Sequence, residues 1–212
     1  MINKDTLIFC SFAKEAGNTG CIFFNNAFAK YNLNAIYKSF SVYNIEDAIK
    51  AARTLNFRGF AITMPFKIEA LKYVDELDEK VEDIGAINTV INTNGTLKAY
   101  NTDYIAARIM LQRYYNMPLV ILGNGGYAAA VRHAAITNNT FFNVITRKNW
   151  KEIIDIKNSV IYNCTPVSDI KVHESNTFID CLITSETGKE LSEIQASYQF
   201  ELYRQAINEQ GL

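Results

Sequence analysis

A lysine, an aspartate and several small polar side chains follow apolar segments in the first half of the chain. Thr63 ends the apolar run 59–63, Lys67 comes shortly after it, and Asn88 and Asp103 lie beside later apolar runs. Because strand ends in an α/β sheet share one crevice, the lysine and aspartate could transfer a proton there, and the threonine and asparagine could bind substrate hydroxyl groups. Each residue also has a structural interpretation: a solvated lysine, a helix-capping aspartate, or an asparagine in a turn. The residue types alone leave both interpretations open.

A glycine-rich turn in the second half could hold the phosphates of a dinucleotide. The apolar run 119–122 leads directly into this turn, and an alanine-rich segment follows it. In dinucleotide-binding folds, glycines permit the turn and the approach of the pyrophosphate, and unpaired amides at the helix start bind it. Glycines that serve only a tight loop are the alternative. The candidate cofactor residues here are Gly123, Asn124, Gly125, Gly126, Tyr127 and Ala128.

Two basic residues follow the next apolar run, residues 141–146. Arg147 and Lys148 stand where NAD-binding folds usually place an acidic residue for the ribose hydroxyl groups. Cations at this position favour a 2′-phosphate, and therefore NADP. Basic residues on a surface loop are often simply solvated, so the prediction depends on their position after the second strand.

Short apolar runs alternate with segments of helical spacing, which predicts an α/β fold with mainly parallel sheets. The pair Asn94 and Gly95 predicts a hairpin turn and therefore one antiparallel edge strand. The predicted strands are residues 7–12, 35–40, 59–63, 88–92, 119–122, 141–146, 159–163 and 177–181.

Local signals also predict three helices. Asn44 can cap a helix that extends to residue 57 with its apolar residues on one face. Pro65 suits the first turn of a helix that would contain Phe66, Lys67 and Ala70. A further helix is predicted from residue 101 to about residue 115.

Composition excludes several classes of protein. The formal charge of -1 and the isoelectric point near 6.2 provide no basic surface for nucleic acid or an anionic membrane. The four cysteines are widely spaced and lack metal-site spacing, so no metal is expected. The chain opens without a basic stretch followed by a long apolar run, and a cytoplasmic location is expected.

Five motifs taken together resemble those of shikimate dehydrogenases in identity, order and spacing, and the loops are most similar to the shikimate dehydrogenase-like branch. The resemblance covers nearly the whole chain, including Gly188 and a tail at residues 195–203 that is similar to the closing helix of the family. It implies an N-terminal α/β substrate domain and a reduced Rossmann-type domain that binds NADP. The motifs are Met64-Pro65-Phe66-Lys67, residues 85–90, Asn101-Thr102-Asp103, the glycine turn, and residues 163–167.

The resemblance implies a role for individual residues. The matching lysine and aspartate of the family are its catalytic pair, which here implies Lys67 and Asp103. Ser11 matches the first serine of a Ser-x-Ser sequence that binds the substrate carboxylate. The implied substrate-binding residues are Ser11, Thr63, Asn88 and Gln195, and the implied cofactor residues beyond the glycine turn are Thr146, Arg147, Lys148, Asn163, Thr165 and Pro166.

Several positions depart from the family pattern. Ala13 stands where the second serine is expected, and Ala61 stands where most members have an asparagine, which predicts weaker recognition of the substrate carboxylate and hydroxyl groups. The chain is also several dozen residues shorter than typical members. Little lies between Arg147 and Asn163, and almost nothing between Cys181 and Gly188, where a tyrosine-containing segment normally helps to close the site.

The predicted architecture is a substrate domain at residues 1–102, an NADP-binding Rossmann-like domain at residues 103–187, and a C-terminal helix at residues 188–212 that packs back on the first domain, with the substrate between the domains. The expected function is NADP-dependent, reversible reduction of 3-dehydroshikimate to shikimate, in aromatic amino acid and chorismate biosynthesis, by a monomer or homodimer. The alternatives are a dehydrogenase of quinate or another shikimate-like acid, and a non-catalytic ligand-binding relative.

Overall fold

A computed structural model of the chain describes residues 2–209, which form two units. The first unit contains the residues up to Thr102 together with those from Ala196 onward, and the second contains Asp103–Gln195. Met1, where the predicted substrate domain begins, and residues 210–212, where the predicted C-terminal helix ends, lie outside the described residues.

The elements follow one another as α/β segments. In chain order they are β1 (Leu7–Ala13), α1 (Thr19–Lys30), β2 (Ala35–Ser41), α2 (Ile45–Thr54), β3 (Gly59–Ile62), a 3-10 helix (Glu69–Tyr73), β4 (Glu76–Leu77), α3 (Glu79–Ile84), β5 (Thr89–Thr93), β6 (Thr96–Tyr100), α4 (Thr102–Gln112), β7 (Leu119–Leu122), α5 (Gly126–Thr137), β8 (Phe142–Ile145), a second 3-10 helix (Trp150–Asp155), β9 (Val160–Asn163), β10 (Thr177–Asp180) and α6 (Glu186–Asn208).

The sheet of the first unit has the order β2-β1-β3-β5-β6-β4. Strands β2, β1 and β3 are parallel, whereas β5 is antiparallel to both β3 and β6. The predicted hairpin is present, and Asn94 adopts a left-handed φ of 53° in its turn. The prediction of an antiparallel edge strand is wrong, because β5 lies inside the sheet and the short β4, which the sequence did not reveal, pairs with β6 and forms the edge.

Helix α2 shows how local sequence specifies an element of this unit. The Asn44 side chain accepts hydrogen bonds from the amides of Glu46 and Asp47, at 2.8 and 3.2 Å, as predicted for its cap. The helix ends at Thr54, before the predicted residue 57, because Asn56 has a left-handed φ of 54°.

The turn after β3 corrects the predicted helix at Pro65. Residues 64–68 form turns, and only Ala70 of the predicted residues lies in the 3-10 helix. The Lys67 carbonyl accepts a hydrogen bond from the Ile87 amide at 2.8 Å, so it is engaged by a distant segment instead of by the next helical turn. This tertiary contact fixes the backbone of Lys67.

Two apolar clusters cover the two faces of this sheet. One contains Cys10, Phe12, Phe60 and Ile62 with the buried residues of α2. The other lies under α1 and α6 and contains Phe9, Phe24, Phe28, Tyr37, Phe200 and Tyr203. Because side chains alternate along a strand, Ser11 and Ala13 share the face of Phe9.

A buried arginine fixes the end of α6 to this sheet. Arg58 is only 2% exposed, and its guanidinium donates hydrogen bonds to the carbonyls of Asn92, at 2.8 Å, and Ala206, at 3.0 Å from Nε. Burial lowers the pKa of Arg58 from its ordinary value. At the Ala206 carbonyl, in the last turn of α6, this cation complements the negative end of the helix dipole.

The Tyr203 hydroxyl provides a test of the aromatic packing. Tyr203 is fully buried, its ring lies 4.5 Å from that of Phe9, and its hydroxyl has no hydrogen-bond partner among residues 2–209. Because an unpaired buried hydroxyl costs about 1–3 kcal/mol, we expect Tyr203→Phe to leave the free energy of unfolding unchanged or to raise it by about 1 kcal/mol in urea titrations. A loss above about 1 kcal/mol would show that the hydroxyl has a partner, such as a buried water.

The second unit is built on a parallel sheet of order β10-β9-β7-β8. Between β7 and β8 runs α5, which buries five alanines and so packs close to the sheet. A 3-10 helix alone connects β8 to β9. In the described part of the chain, no helix is long and apolar enough to cross a membrane.

Candidate functional site

A row of small residues crosses the first sheet near the carboxyl ends of β1, β2 and β3. In this small-residue row, Ser11 lies opposite Ser39 of β2 and Ala61 of β3, and Ala61 lies opposite Thr89 of β5. Residues that are register partners point to the same face. Three of the four are 8% exposed and Thr89 is fully buried, so hydroxyl groups line one end of an otherwise apolar face.

Thr63 and Lys67 lie beside this end of the sheet. The Thr63 amide donates to the Phe12 carbonyl at 3.0 Å, and the Phe66 amide donates to the Thr63 carbonyl at 2.9 Å. These bonds, together with the one from the Ile87 amide to the Lys67 carbonyl, fix the backbone of Thr63 and Lys67. The side chains of both residues are half-buried. The predicted lysine and threonine therefore lie in the same turn, directly after the strand that pairs with β1 at Ser11.

Asn88 connects this turn to the end of the first unit. Its Nδ2 donates to Thr102 Oγ1 at 2.9 Å, and its Oδ1 accepts from the Thr102 amide and from Thr89 Oγ1, each at 2.8 Å. Asn101 Nδ2 donates to the Ala86 carbonyl at 2.8 Å. The network fixes Thr102, the residue that precedes Asp103 in the chain.

Gln199 belongs to this network, although the sequence analysis missed it. It is 2% exposed, and its Nε2 donates to Thr89 Oγ1 at 2.8 Å and to the Asn88 carbonyl at 3.4 Å. The available signal was its position four residues after Gln195 on α6, which places both on one helix face. Gln195 Nε2 donates to the Ser192 carbonyl of the same helix at 3.2 Å.

In the second unit, Asp103 lies in the first turn of α4 and is 4% exposed. A carboxylate is favourable there because of the helix dipole. The hydroxyl groups of Tyr127 and Tyr162 lie 3.0 Å apart. Burial, followed by smaller effects of charge that include Asp103, raises the pKa of both phenols well above its usual range. Both phenols therefore remain protonated at neutral pH.

The glycine turn combines a left-handed backbone at Gly123 with open space at Gly125. Gly123 has a φ of 106°, and a side chain there would place its Cβ 2.8 Å from Thr165 Cγ2. A Cβ on Gly125 would meet nothing within 4 Å, so the space beside it is open. No side chain caps the start of α5 at Gly125. Amides at the start of α5 are thus oriented to bind an anion.

Arg132 is a second residue that the sequence analysis missed. It lies within α5, and its guanidinium donates a hydrogen bond to Asn124 Oδ1 in the glycine turn. Burial raises the pKa of the Cys164 thiol, while the Arg132 charge lowers it. The positive charge of Arg132 therefore acts near both Asn124 and the loop after β9.

Residues after β8 present two cations to solvent. The Asn149 side chain accepts a hydrogen bond from the Thr146 amide at 2.8 Å, which fixes the turn. Arg147 and Lys148 are exposed, and in the described part of the chain neither forms an ion pair. Both are available to an anionic ligand.

The loop after β9 is organised by Asn163, which is fully buried. Its Nδ2 donates to Asp180 Oδ1 at 2.9 Å and to the Val167 carbonyl at 3.0 Å. Its Oδ1 accepts from the Thr165 amide and hydroxyl, at 2.9 and 2.7 Å. Asn163 thus shapes the loop, which leaves Pro166 exposed.

Within residues 2–209, no group of three or more histidine, cysteine, aspartate or glutamate side chains could hold a metal ion. All four cysteines are free thiols.

Sequence comparisons show that the chain is similar to shikimate dehydrogenases and to a shikimate dehydrogenase-like protein. The shikimate dehydrogenase substrate binding domain matches residues 19–90. The shikimate dehydrogenase-like protein of Haemophilus influenzae is 42% identical over 144 residues, which cover 66% of this chain and 53% of that protein. The shikimate dehydrogenase (NADP(+)) of Pyrococcus furiosus is 37% identical over 138 residues, which cover 63% and 51%. The chain therefore spans about half the length of the curated relatives that it matches.

Solved structures agree with the sequence relatives. The structure of a shikimate 5-dehydrogenase-like protein has a TM-score of 0.79 and 28% identity, and it covers 99% of this chain and 97% of its own. The shikimate 5-dehydrogenase of Thermus thermophilus, in complex with NADP(H) and shikimate, has a TM-score of 0.81 and covers 93% of each chain. Its identity of 20% shows the fold alone. The comparisons confirm the predicted α/β fold class.

Proposed function

We propose that this chain is a member of the shikimate dehydrogenase family, to which its matched segments are similar, and that it interconverts shikimate and 3-dehydroshikimate with NADP as cofactor. The observation that supports the proposal is that Thr63 and Lys67 lie in one turn directly after β3, the strand whose Ala61 is the register partner of Ser11. In aromatic amino acid biosynthesis, reduction to shikimate is the proposed direction.

Substrate recognition is assigned to polar groups of the first unit and to Gln195. The Ser11 hydroxyl would bind the carboxylate, and Thr63, Asn88 and Gln195 would bind ring hydroxyl groups. Asn88 and Thr89 are already held by Thr102 and Gln199, so these two side chains would need little rearrangement to bind a ligand. Such preorganisation lowers the entropy cost of binding.

Lys67 and Asp103 are proposed to manage the proton of the reacting hydroxyl group. As an ammonium, Lys67 would donate a proton to the ketone oxygen during reduction. In oxidation, Lys67 and Asp103 would together receive the hydroxyl proton as the carbinol carbon loses hydride. A positioned acid or base of this kind contributes roughly a hundredfold to ten-thousandfold to the rate.

The cofactor residues present fit NADP. Amides of Gly125, Gly126, Tyr127 and Ala128 at the uncapped start of α5 would bind the pyrophosphate, with the open space at Gly125 permitting its approach. The exposed Arg147 and Lys148 would bind the 2′-phosphate. The nicotinamide, when bound, supplies or accepts the hydride. Pro166, on the loop that Asn163 and Thr165 shape, would contact the nicotinamide.

The presence of the predicted catalytic residues favours this activity, and the state of the cysteines bears on the location of the protein. Lys67, Asp103 and Gln195 are all present, as a catalyst requires, which disfavours a non-catalytic binding protein. The free state of all four cysteines supports the proposed location in the reducing cytoplasm.

Steady-state kinetics would test the proposed substrate. We expect NADP-linked oxidation of shikimate, followed by the absorbance of the reduced cofactor, with kcat/KM at least about tenfold higher than for quinate. Higher efficiency with quinate would instead support a dehydrogenase of quinate or another shikimate-like acid. Ala13 and Ala61 are the residues that favour this alternative. No turnover of either acid would contradict the proposal.

A further inference from the structure

Ser11 has a second serine beside it on the adjacent strand. In the parallel pairing of β1 and β2, Ser11 lies opposite Ser39, and each is 8% exposed. Neighbouring strands lie about 4.8 Å apart, and register partners point to the same face. The two hydroxyl groups therefore lie side by side at the proposed carboxylate site.

The Cys21 thiol contacts Ser39 and orients its hydroxyl group. The Ser39 amide donates to Cys21 Sγ at 3.2 Å, and the Cys21 thiol donates in turn to Ser39 Oγ at 3.3 Å. Because Oγ is the acceptor in this contact, Ser39 retains its own hydrogen as a donor. In the part of the chain that the structure describes, no acceptor takes this hydrogen.

Ser11 is supported in a comparable way by Tyr37, which is 4% exposed and stacks on Phe24 at 4.5 Å. Burial raises the pKa of Tyr37, and a hydrogen bond with the Ser11 side chain lowers it by a smaller amount. The phenol therefore stays protonated, and its oxygen lies near the Ser11 hydroxyl.

The electrostatic field around Ser39 also favours an anion. Cys21, which contacts Ser39, lies in the first turn of α1, where no acidic residue occurs and no side chain caps the helix. The positive end of the helix dipole therefore lies near Ser39.

We propose that Ser39 supplies the second hydroxyl donor to the substrate carboxylate, in place of the serine that is absent at Ala13. Two donors on adjacent strands can each reach one of the two carboxylate oxygens. The neighbour of Ala13 in β2 is Ser41, whose Oγ already accepts a hydrogen bond from the Ala16 amide at 3.0 Å. The assignment rests on the proposed function, since it deepens the recognition of the same substrate.

The test compares shikimate with its methyl ester, which lacks the charged carboxylate. We expect Ser39→Ala to raise KM for shikimate roughly tenfold while kcat and KM for NADP remain unchanged. KM for the ester should change little, so the preference for acid over ester should fall roughly tenfold. Cys21→Ala should cause a smaller fall, because it retains the Ser39 hydroxyl but removes its partner.

Ser41→Ala is the matched control, since Ser41 lies on the same strand and face but next to Ala13. It should leave the preference for the acid unchanged. Equal weakening of acid and ester by Ser39→Ala, or an unchanged preference, would overturn the role of Ser39 and leave the proposed function standing. Calorimetric titration of the unmodified protein separates the two ideas: if it binds neither shikimate nor the ester, both the proposed function and the role of Ser39 fail.

Discussion

Replacement of Lys67 by methionine is expected to lower kcat for shikimate oxidation by about a hundredfold or more, and Asp103→Asn should have an effect of similar size. Hydride leaves a carbinol carbon readily only as the hydroxyl proton leaves, so in the proposed mechanism the loss of either group removes the path of that proton. Stopped assays at saturating NADP and shikimate would measure both effects.

The double variant tests whether the two residues act together. If they share one proton network, the combined loss should be far smaller than the product of the single losses. Lys72→Met is a matched control, because Lys72 is exposed on the neighbouring 3-10 helix, and it should retain normal turnover. Near-normal kcat in either single variant would contradict the assigned roles, and multiplicative losses would contradict the shared network.

Arg147→Ala should remove most of the preference for NADP over NAD. Its proposed charge-assisted contact with the 2′-phosphate should be worth roughly tenfold to a hundredfold in kcat/KM for NADP, whereas efficiency with NAD should change little. Initial rates at varied concentrations of each cofactor would show this change.

Lys157→Ala provides the control for that experiment. Lys157 is also exposed in the second unit, but it precedes β9 and so lies toward the amino ends of the strands. It should leave the cofactor preference intact. Equal efficiency with both cofactors in the unmodified protein would remove the basis for assigning NADP to Arg147 and Lys148.

Elements with local signals were predictable from the sequence. The cap at Asn44, the hairpin at Asn94 and the glycine turn before α5 each depend on residues close together in the chain. Strand β7 was predicted with its observed limits, because all four of its residues are buried and apolar. Local propensity and burial agree in each case, which is why sequence sufficed.

Features that depend on distant residues were not predictable. The Ile87 amide captures the Lys67 carbonyl and prevents the helix expected after Pro65. Pairing of Ser11 with Ser39 follows from strand register, which no local pattern revealed. Gln199 and Arg132 were missed for the same reason, since each acquires its role only through contact with Thr89 or Asn124.

The site residues divide in a similar way between pattern and contact. Family motifs indicated Asn163 as a cofactor residue, whereas its four hydrogen bonds show that its side chain shapes the loop around Thr165. A sequence motif identifies that such a residue matters to the site, but only the hydrogen-bond partners distinguish a side chain that contacts a ligand from one that holds the loop.

A single-turnover experiment tests the central claim most directly. With the protein in molar excess over NADP and shikimate saturating, one equivalent of reduced cofactor should form, and Lys67→Met prepared in parallel should form it at least about a hundredfold more slowly. The stoichiometric excess excludes a trace of contaminating host enzyme as the source of a fast phase. Failure of the unmodified protein to form reduced cofactor, or equal rates in the two preparations, would contradict the assignment of this chain as a shikimate dehydrogenase that depends on Lys67.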